Sequence, residues 1–267
     1  ALPIWRVLHR DFWGLPPTAS IGSYRPLPNL LWRPLWHLAE SPWLLSWLNV
    51  LAHALNAALL ASNTAAVTKD RKLGWIAGFA LLGMGVLTEA VSGVVGLADV
   101  LAATGLLLAL QATRRSLWVM PFGVAAGTLL GVLGKETALV GLGLLPLLVW
   151  LTAPSLHGER PRRWLRALVA LVALALVTVL YVEVRRRVFP APLPASLAAP
   201  LPATASPPQR MAHALARWFH QPQLPTNELN NPLSIVPASR RVAAALSIYA
   251  RGLGQVLQFE EDLLPQF

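Results

Sequence analysis

The sequence predicts an all-α, polytopic integral membrane protein. Hydrophobic residues fill 55% of the 267 positions and charged residues only 13%, a balance too apolar for a soluble domain of this length. Mean hydropathy is +0.53. The apolar residues gather into long runs separated by short charged or Pro-rich stretches, as membrane helices and their connections do. The 11 Trp and 23 Pro fit the same class, because Trp collects at membrane interfaces and Pro is tolerated in membrane helices and their loops. With no Cys in the chain, neither a disulfide framework nor a thiolate metal site is available. The net charge of +10 reads here as loop arginines that set topology and meet lipid phosphates. No nucleic-acid partner is expected.

Taken in order, the chain begins at Ala1 without Met or a signal peptide, which predicts that sequence upstream has been removed. Residues 1–41 read as an outer loop with interfacial amphipathic helices. In its first part Ile4, Leu8 and Phe12 lie at helical spacing with Trp5 and Trp13 beside them, a stretch too short to span a bilayer. Residues 42–182 read as a membrane helix bundle with spans at 42–62, 73–87, 94–112, 116–134, 137–152 and 167–182. Residues 183–240 form a long Pro-rich non-cytoplasmic loop, and 241–267 a further membrane helix with an acidic tail. The total is about seven membrane helices, with the outer loops carrying the site.

The central feature is the polar break at 88–99, which places Glu89 and Asp99 between two apolar runs. Carboxylates are costly at a membrane boundary, which makes them functional candidates. With residue 94 onward helical, Asp99 lies about one and a half turns in and Glu89 on the loop above, so both can face one cavity. On the first span Asn49, His53 and Asn56 form one polar stripe. That stripe reads first as hydrogen bonding between packed helices, with a ligand role as the alternative.

Loop charge predicts orientation. Lys69, Arg71, Lys72, Arg114, Arg115, Arg160, Arg162, Arg163 and Arg166 all fall on one side, and short Lys/Arg-rich loops stay cytoplasmic. The opposite side holds Asp11, Arg25, Glu89, Lys135, Glu136 and the run Arg185, Arg186 and Arg187. Isolated charges of mixed sign suggest a site, although the arginine run also fits a phospholipid headgroup anchor. A carboxylate there can activate a hydroxyl for attack on a glycosyl phosphate while Arg and Lys hold the departing phosphate. A lipid-linked donor suits the arrangement, with its tail among the helices and its head at the polar break.

Several stretches resemble the membrane domain of the transmembrane and tetratricopeptide-repeat O-mannosyltransferases, within the GT-C glycosyltransferase superfamily. They are Arg10-Asp11-Phe12-Trp13-Gly14, Ser23-Tyr24-Arg25-Pro26-Leu27, Leu48-Asn49 through Asn56, Thr88-Glu89-Ala90-Val91 through Asp99, and Gly134-Lys135-Glu136. These occur in the family's order and spacing across most of 10–152; Asn231-Pro232-Leu233 resembles a later landmark more weakly. The resemblance implies a GT-C-like bundle that transfers a sugar from a polyprenyl-phosphate donor to a protein or glycan acceptor on the non-cytoplasmic side. Arg25 lies where relatives carry a Lys/His-Pro-Pro-Leu element, and with Lys135, Arg185 and Arg186 it is a candidate for donor phosphate contact. Asp99 resembles the acidic residue that starts a helix after the second outer loop. With Asp11 and Glu89 it makes up the candidate catalytic set; its alternative reading is a carboxylate paired with an arginine for packing. Lys135 and Glu136 read equally as an interfacial ion pair. Tyr24, Glu136 and His53 complete the candidate pocket.

The chain also departs from the family. It has Met84-Gly85 where relatives carry His-Pro, and Leu97 where Arg is common. The resemblance implies that the family's main acidic motif would lie upstream of Ala1, and no 34-residue helical repeat is visible in 1–267. The alternative reading is therefore a GT-C-derived subunit without catalysis that serves as a scaffold in a larger membrane complex. A transporter is a third reading, weakened by the lack of paired, interrupted spans. No cofactor is expected beyond the lipid-linked donor as substrate, and no metal-ligand set is visible. The Ala, Leu, Arg and Pro bias suggests a bacterial inner membrane more than an endoplasmic reticulum, with the site facing the periplasm.

Overall fold

The computed structural model describes residues 4–17, 20, 23–157, 163–189, 199–202 and 204–218. Arg160, Arg162, the Asn231-Pro232-Leu233 landmark, the span at 242–257 and the acidic tail lie outside the described residues. Among the described residues all regular structure is helical. The helices are α1 (Pro26–Ala39), α2 (Pro42–Thr68), α3 (Arg71–Leu82), α4 (Thr88–Ser92), α5 (Leu97–Ala112), α6 (Met120–Gly134), α7 (Gly141–His157), α8 (Arg163–Val188) and α9 (Pro207–Trp218). Short 3₁₀ turns at Ile4–His9, Gly85–Leu87, Val94–Gly96 and Glu136–Val140 join them.

Local chemistry places the ends. Ser41 caps α2 by accepting from the Trp43 amide, with Pro42 at the first helical position, and Asp70 caps α3 by accepting from Lys72 N at 2.7 Å. Lys69, between them, takes the left-handed backbone with φ 60. That tight reversal lays α3 against α2, where an added Cβ on Gly74 would stand 2.7 Å from the Ala65 Cβ.

Among the described residues three helical segments are long and apolar enough to cross a membrane: Pro42–Thr68, Val94–Ala112 and Arg163–Val188. Two shorter apolar helices, Met120–Gly134 and Glu136–Thr152, pack with them. The protein is an integral membrane protein. The expected span at 73–87 takes a different form, because α3 has 12 residues and ends at Leu82. Such a helix is about 18 Å long, well short of a hydrocarbon core of about 30 Å. From Gly83 to Gly96 the backbone turns repeatedly instead of continuing as one helix. The expected helix near residues 3–13 is likewise a 3₁₀ turn followed by the bend around Gly14, whose φ of +78 favours glycine. The last long span exceeds expectation, since α8 takes in Arg166 at one end and Arg185 to Arg187 at the other.

Side-chain amides set the register of α2 against α5. Asn49, Asn56 and Asn63 donate to the carbonyls of Gly93 (2.6 Å), Val100 (2.9 Å) and Leu107 (3.2 Å). Each pair is separated by the same 44 positions, so the two helices run parallel without slippage. A spacing of seven keeps the three Asn on one stripe, with only about 20° of drift per step. Small residues do the same for α5 against α6: an added Cβ on Gly127 would lie 2.6 Å from Ala109 N and 2.7 Å from the Gly105 carbonyl.

Two apolar clusters fill the bundle. One joins Ala109, Met120, Val124, Leu145, Val149 and Leu174 near the basic loops, and the other joins Tyr24, Ala102, Val132, Ala138, Val177, Tyr181 and Phe189 at the opposite end. The basic end is tied by Arg166, buried with its Nη1 donating to the Arg115 carbonyl at 3.0 Å, and by Arg114, which donates to Ser62 Oγ at 3.0 Å. The loops rich in Lys and Arg thus share one end of the bundle. Gly127→Val should destabilise the protein by about 1–3 kcal/mol through overpacking. Gly143→Val, where an added Cβ meets nothing within 4 Å, should leave the melting temperature near wild type; thermal unfolding in detergent compares the two.

Candidate functional site

At the end opposite the basic loops, charged side chains from separate stretches of chain converge. Arg25 precedes α1, and its guanidinium forms a fork with Glu136 at 2.9 Å from Nε to Oε2 and 2.8 Å from Nη2 to Oε1. The ring of Phe12 lies under the same group, 5.3 Å from Cζ to its centroid. Burial opposes the Arg25 charge, but the hydrogen bond and field of Glu136 outweigh it and raise the guanidinium above its usual value, so it stays charged. Lys135, the neighbour of Glu136 where α6 ends, donates through Nζ to both Asp99 oxygens, at 2.6 and 2.8 Å. Asp99 is also near enough to Arg25 to act on its charge, and Arg185 acts on Glu136. The cations Arg25, Lys135 and Arg185 thus act at one end of the bundle together with the carboxylates Asp99 and Glu136.

The apolar core fixes this arrangement from below. Tyr181 on α8 donates its hydroxyl to the Tyr24 carbonyl at 2.9 Å, and the buried Tyr24 ring packs tilted against Tyr181 and edge-on to Phe189, with centroids at 6.1 and 5.7 Å. The backbone that presents Arg25 is thereby held to α8. Tyr24 is thus a support inside the core, with its ring turned away from the open face.

The remaining candidates are distributed as follows. Asp99 starts in the first turn of α5, since the helix begins at Leu97, and 47% of its side chain is exposed. Glu89 lies on the short α4, exposed and without a side-chain partner among the described residues; nothing joins it to Asp99. Arg186 turns along its own helix toward Glu183, at 3.8 Å, and Arg187 pairs with the same carboxylate at 2.9 Å. His53 is half-buried on α2, with no contact linking it to the ion pairs. Its neighbours Asn49 and Asn56 bond between helices, as the stripe reading anticipates, and Asn63 continues that stripe. Asn63, Tyr181 and Glu183 were not singled out in the sequence; for Asn63 the signal is the repeated spacing of seven.

Asp11 has a different environment. It is 0% exposed, its Oδ1 accepts from the amides of Trp13 (3.0 Å) and Leu15 (2.7 Å), and its Oδ2 accepts from Ser20 Oγ at 3.0 Å. This is an Asx-type turn closing the loop that carries Phe12 beneath Arg25. Asp11→Ala should leave two amides unpaired, cost about 1–3 kcal/mol and open the loop to protease. Asp11→Asn, which keeps an acceptor oxygen, should restore protection in limited proteolysis.

Among the described residues no group of His, Cys, Asp and Glu has the makings of a metal site. No protein-family model and no solved structure matches the chain. Curated proteins do. The chain is 30% identical over 234 residues to protein O-mannosyl-transferase TMTC3 of Mus musculus, covering 77% of this chain and 25% of that protein. It is 37% identical over 117 residues to protein O-mannosyl-transferase TMTC1 of Mus musculus, covering 42% of this chain and 12% of that protein. To protein O-mannosyl-transferase Tmtc1 of Drosophila melanogaster it is 35% identical over 151 residues, 53% of this chain and 17% of that protein. The chain therefore spans a quarter or less of the length of these relatives. It is a homologue of the TMTC protein O-mannosyl-transferases.

Proposed function

We propose that the chain is part of a GT-C-type membrane glycosyltransferase of the TMTC family, moving a sugar from a polyprenyl-phosphate donor to a protein acceptor on the non-cytoplasmic side. The observation that carries this reading is the convergence of Arg25, Asp99, Lys135, Glu136 and Arg185 at one end of an otherwise apolar bundle. Charges gathered at the end of a membrane bundle are expensive and are functional candidates. The cations among them suit a phosphate. The end with the Lys- and Arg-rich loops is the cytoplasmic one by the charge rule, which puts the cluster on the other side.

In this mechanism the acceptor hydroxyl oxygen attacks the anomeric carbon, and its proton passes to Asp99. The bond from that carbon to the phosphate oxygen breaks, and the phosphate leaves with the bonding electrons, held by Lys135 and Arg185. Glu136 keeps Arg25 in a fixed fork at the edge of the cluster, and Asp11 holds the loop beneath it. Glu89, exposed on α4, is the second candidate base. The relatives named above come from animals, and the type of bilayer does not enter this chemistry.

In the full-length protein reconstituted with a polyprenyl-phosphate sugar, Asp99→Asn should lower turnover by about 10²–10⁴-fold, the usual contribution of a positioned proton acceptor. Lys135→Gln should weaken donor binding as well. Both variants should melt near wild type, because the Lys135–Asp99 pair is partly exposed. Near-normal transfer in Asp99→Asn and Glu89→Gln alike would remove both carboxylates from the chemistry and leave the ion pairs with a packing role, whereas no transfer by the wild-type protein would favour the scaffold.

A further inference from the structure

Beside the charged cluster, and separated from it by Phe12, an open cavity of about 530 Å³ lies between the Ile4–His9 turn, α1 and the start of α2. We propose that it binds the phosphate head of an anionic bilayer phospholipid. The inference requires only that the protein sits in a membrane and does not depend on sugar transfer.

The cavity's chemistry is that of an anionic amphiphile site. Arg10, Arg33 and His37 contribute basic groups, and none of its described lining residues is acidic. Arg10 is oriented by donating Nη1 to the Gly14 carbonyl at 2.6 Å. A sugar would bring many hydroxyl donors, yet the lining has few acceptors. The one side-chain amide, Asn29, donates to the Asp11 and Phe12 carbonyls.

Position points the same way. Leu45 of the first turns of α2 and Val94, just before α5, both line the cavity, which sets it at one end of two membrane-crossing segments. Trp43 and Trp47 stand exposed beside it on α2, at 63% and 47%, and Trp13 and Trp36 line its wall. Trp concentrates at the depth of the lipid headgroups, so a phospholipid can place its phosphate among the basic groups with its chains alongside α2.

The test uses the purified, delipidated full-length protein in detergent, with phosphatidylglycerol, phosphatidylcholine or a polyprenyl phosphate added and retained lipid counted by native mass spectrometry. Phosphatidylglycerol should be retained over phosphatidylcholine, and a double Arg10→Gln, Arg33→Gln variant should lower its retention roughly tenfold. Val94→Trp, which fills the cavity and keeps all three basic groups, should lower it to a similar degree and guards against misfolding of the first variant. Equal retention of the two phospholipids, unchanged retention in both variants, or retention of polyprenyl phosphate alone would each overturn the proposal. Sugar transfer measured on the same samples reports separately on the transferase reading.

Discussion

The constraint on which this structure depends is that backbone polar groups within a membrane bundle must find partners inside the protein. The chain breaks its helical path at 83–96 beside α2, two turns below that helix's start. Asn49 meets the constraint. It is fully buried, and its amide donates to the carbonyls of Gly93 and Ala90 in the break. Without that side chain the Gly93 carbonyl would keep only the Gly96 amide, 2.9 Å away, as its partner, and the break would lose its tie to α2.

From that anchor the site follows. The Asn49, Asn56 and Asn63 ladder fixes α5 against α2, so Asp99 in the first turn of α5 has a defined height. The Gly105 and Gly127 seam then fixes α6 against α5 and places Lys135, where α6 ends, within reach of Asp99. Glu136, one residue on, meets Arg25, whose backbone is tied to α8 through Tyr24 and Tyr181. Each link is a close contact between rigid elements, which is what a constellation of reacting groups needs.

Much of this was legible in the sequence, and the remainder was hidden for identifiable reasons. Apolar runs and loop charge gave the helical class and the separation of the basic loops from the mixed-sign residues, because those signals are local. Lys135–Glu136 stood out because charges interrupting apolar text are conspicuous. Arg25 and Asp99 also stood out, but their pairing with Glu136 and Lys135 did not, since Arg25 lies 111 positions from Glu136 and pairing over that distance has no periodic signature. The short α3 was also hidden: residues 73–87 are as apolar as a spanning helix, and the break after Leu82 is held by turn hydrogen bonds and by Asn49, neither of which has a periodic signature. Asp11 looked like a catalytic carboxylate for the same reason any acidic residue near a membrane does; its hydrogen bonds to Trp13, Leu15 and Ser20 give it a structural role.

The most direct test of the account is a map of the full-length protein bound to a polyprenyl-phosphate sugar. It should show the phosphate between Lys135 and Arg185, Lys135 drawn from Asp99 toward it, and the freed Asp99 carboxylate facing the sugar. A donor seated elsewhere, with the Lys135–Asp99 and Arg25–Glu136 pairs unchanged, would contradict it.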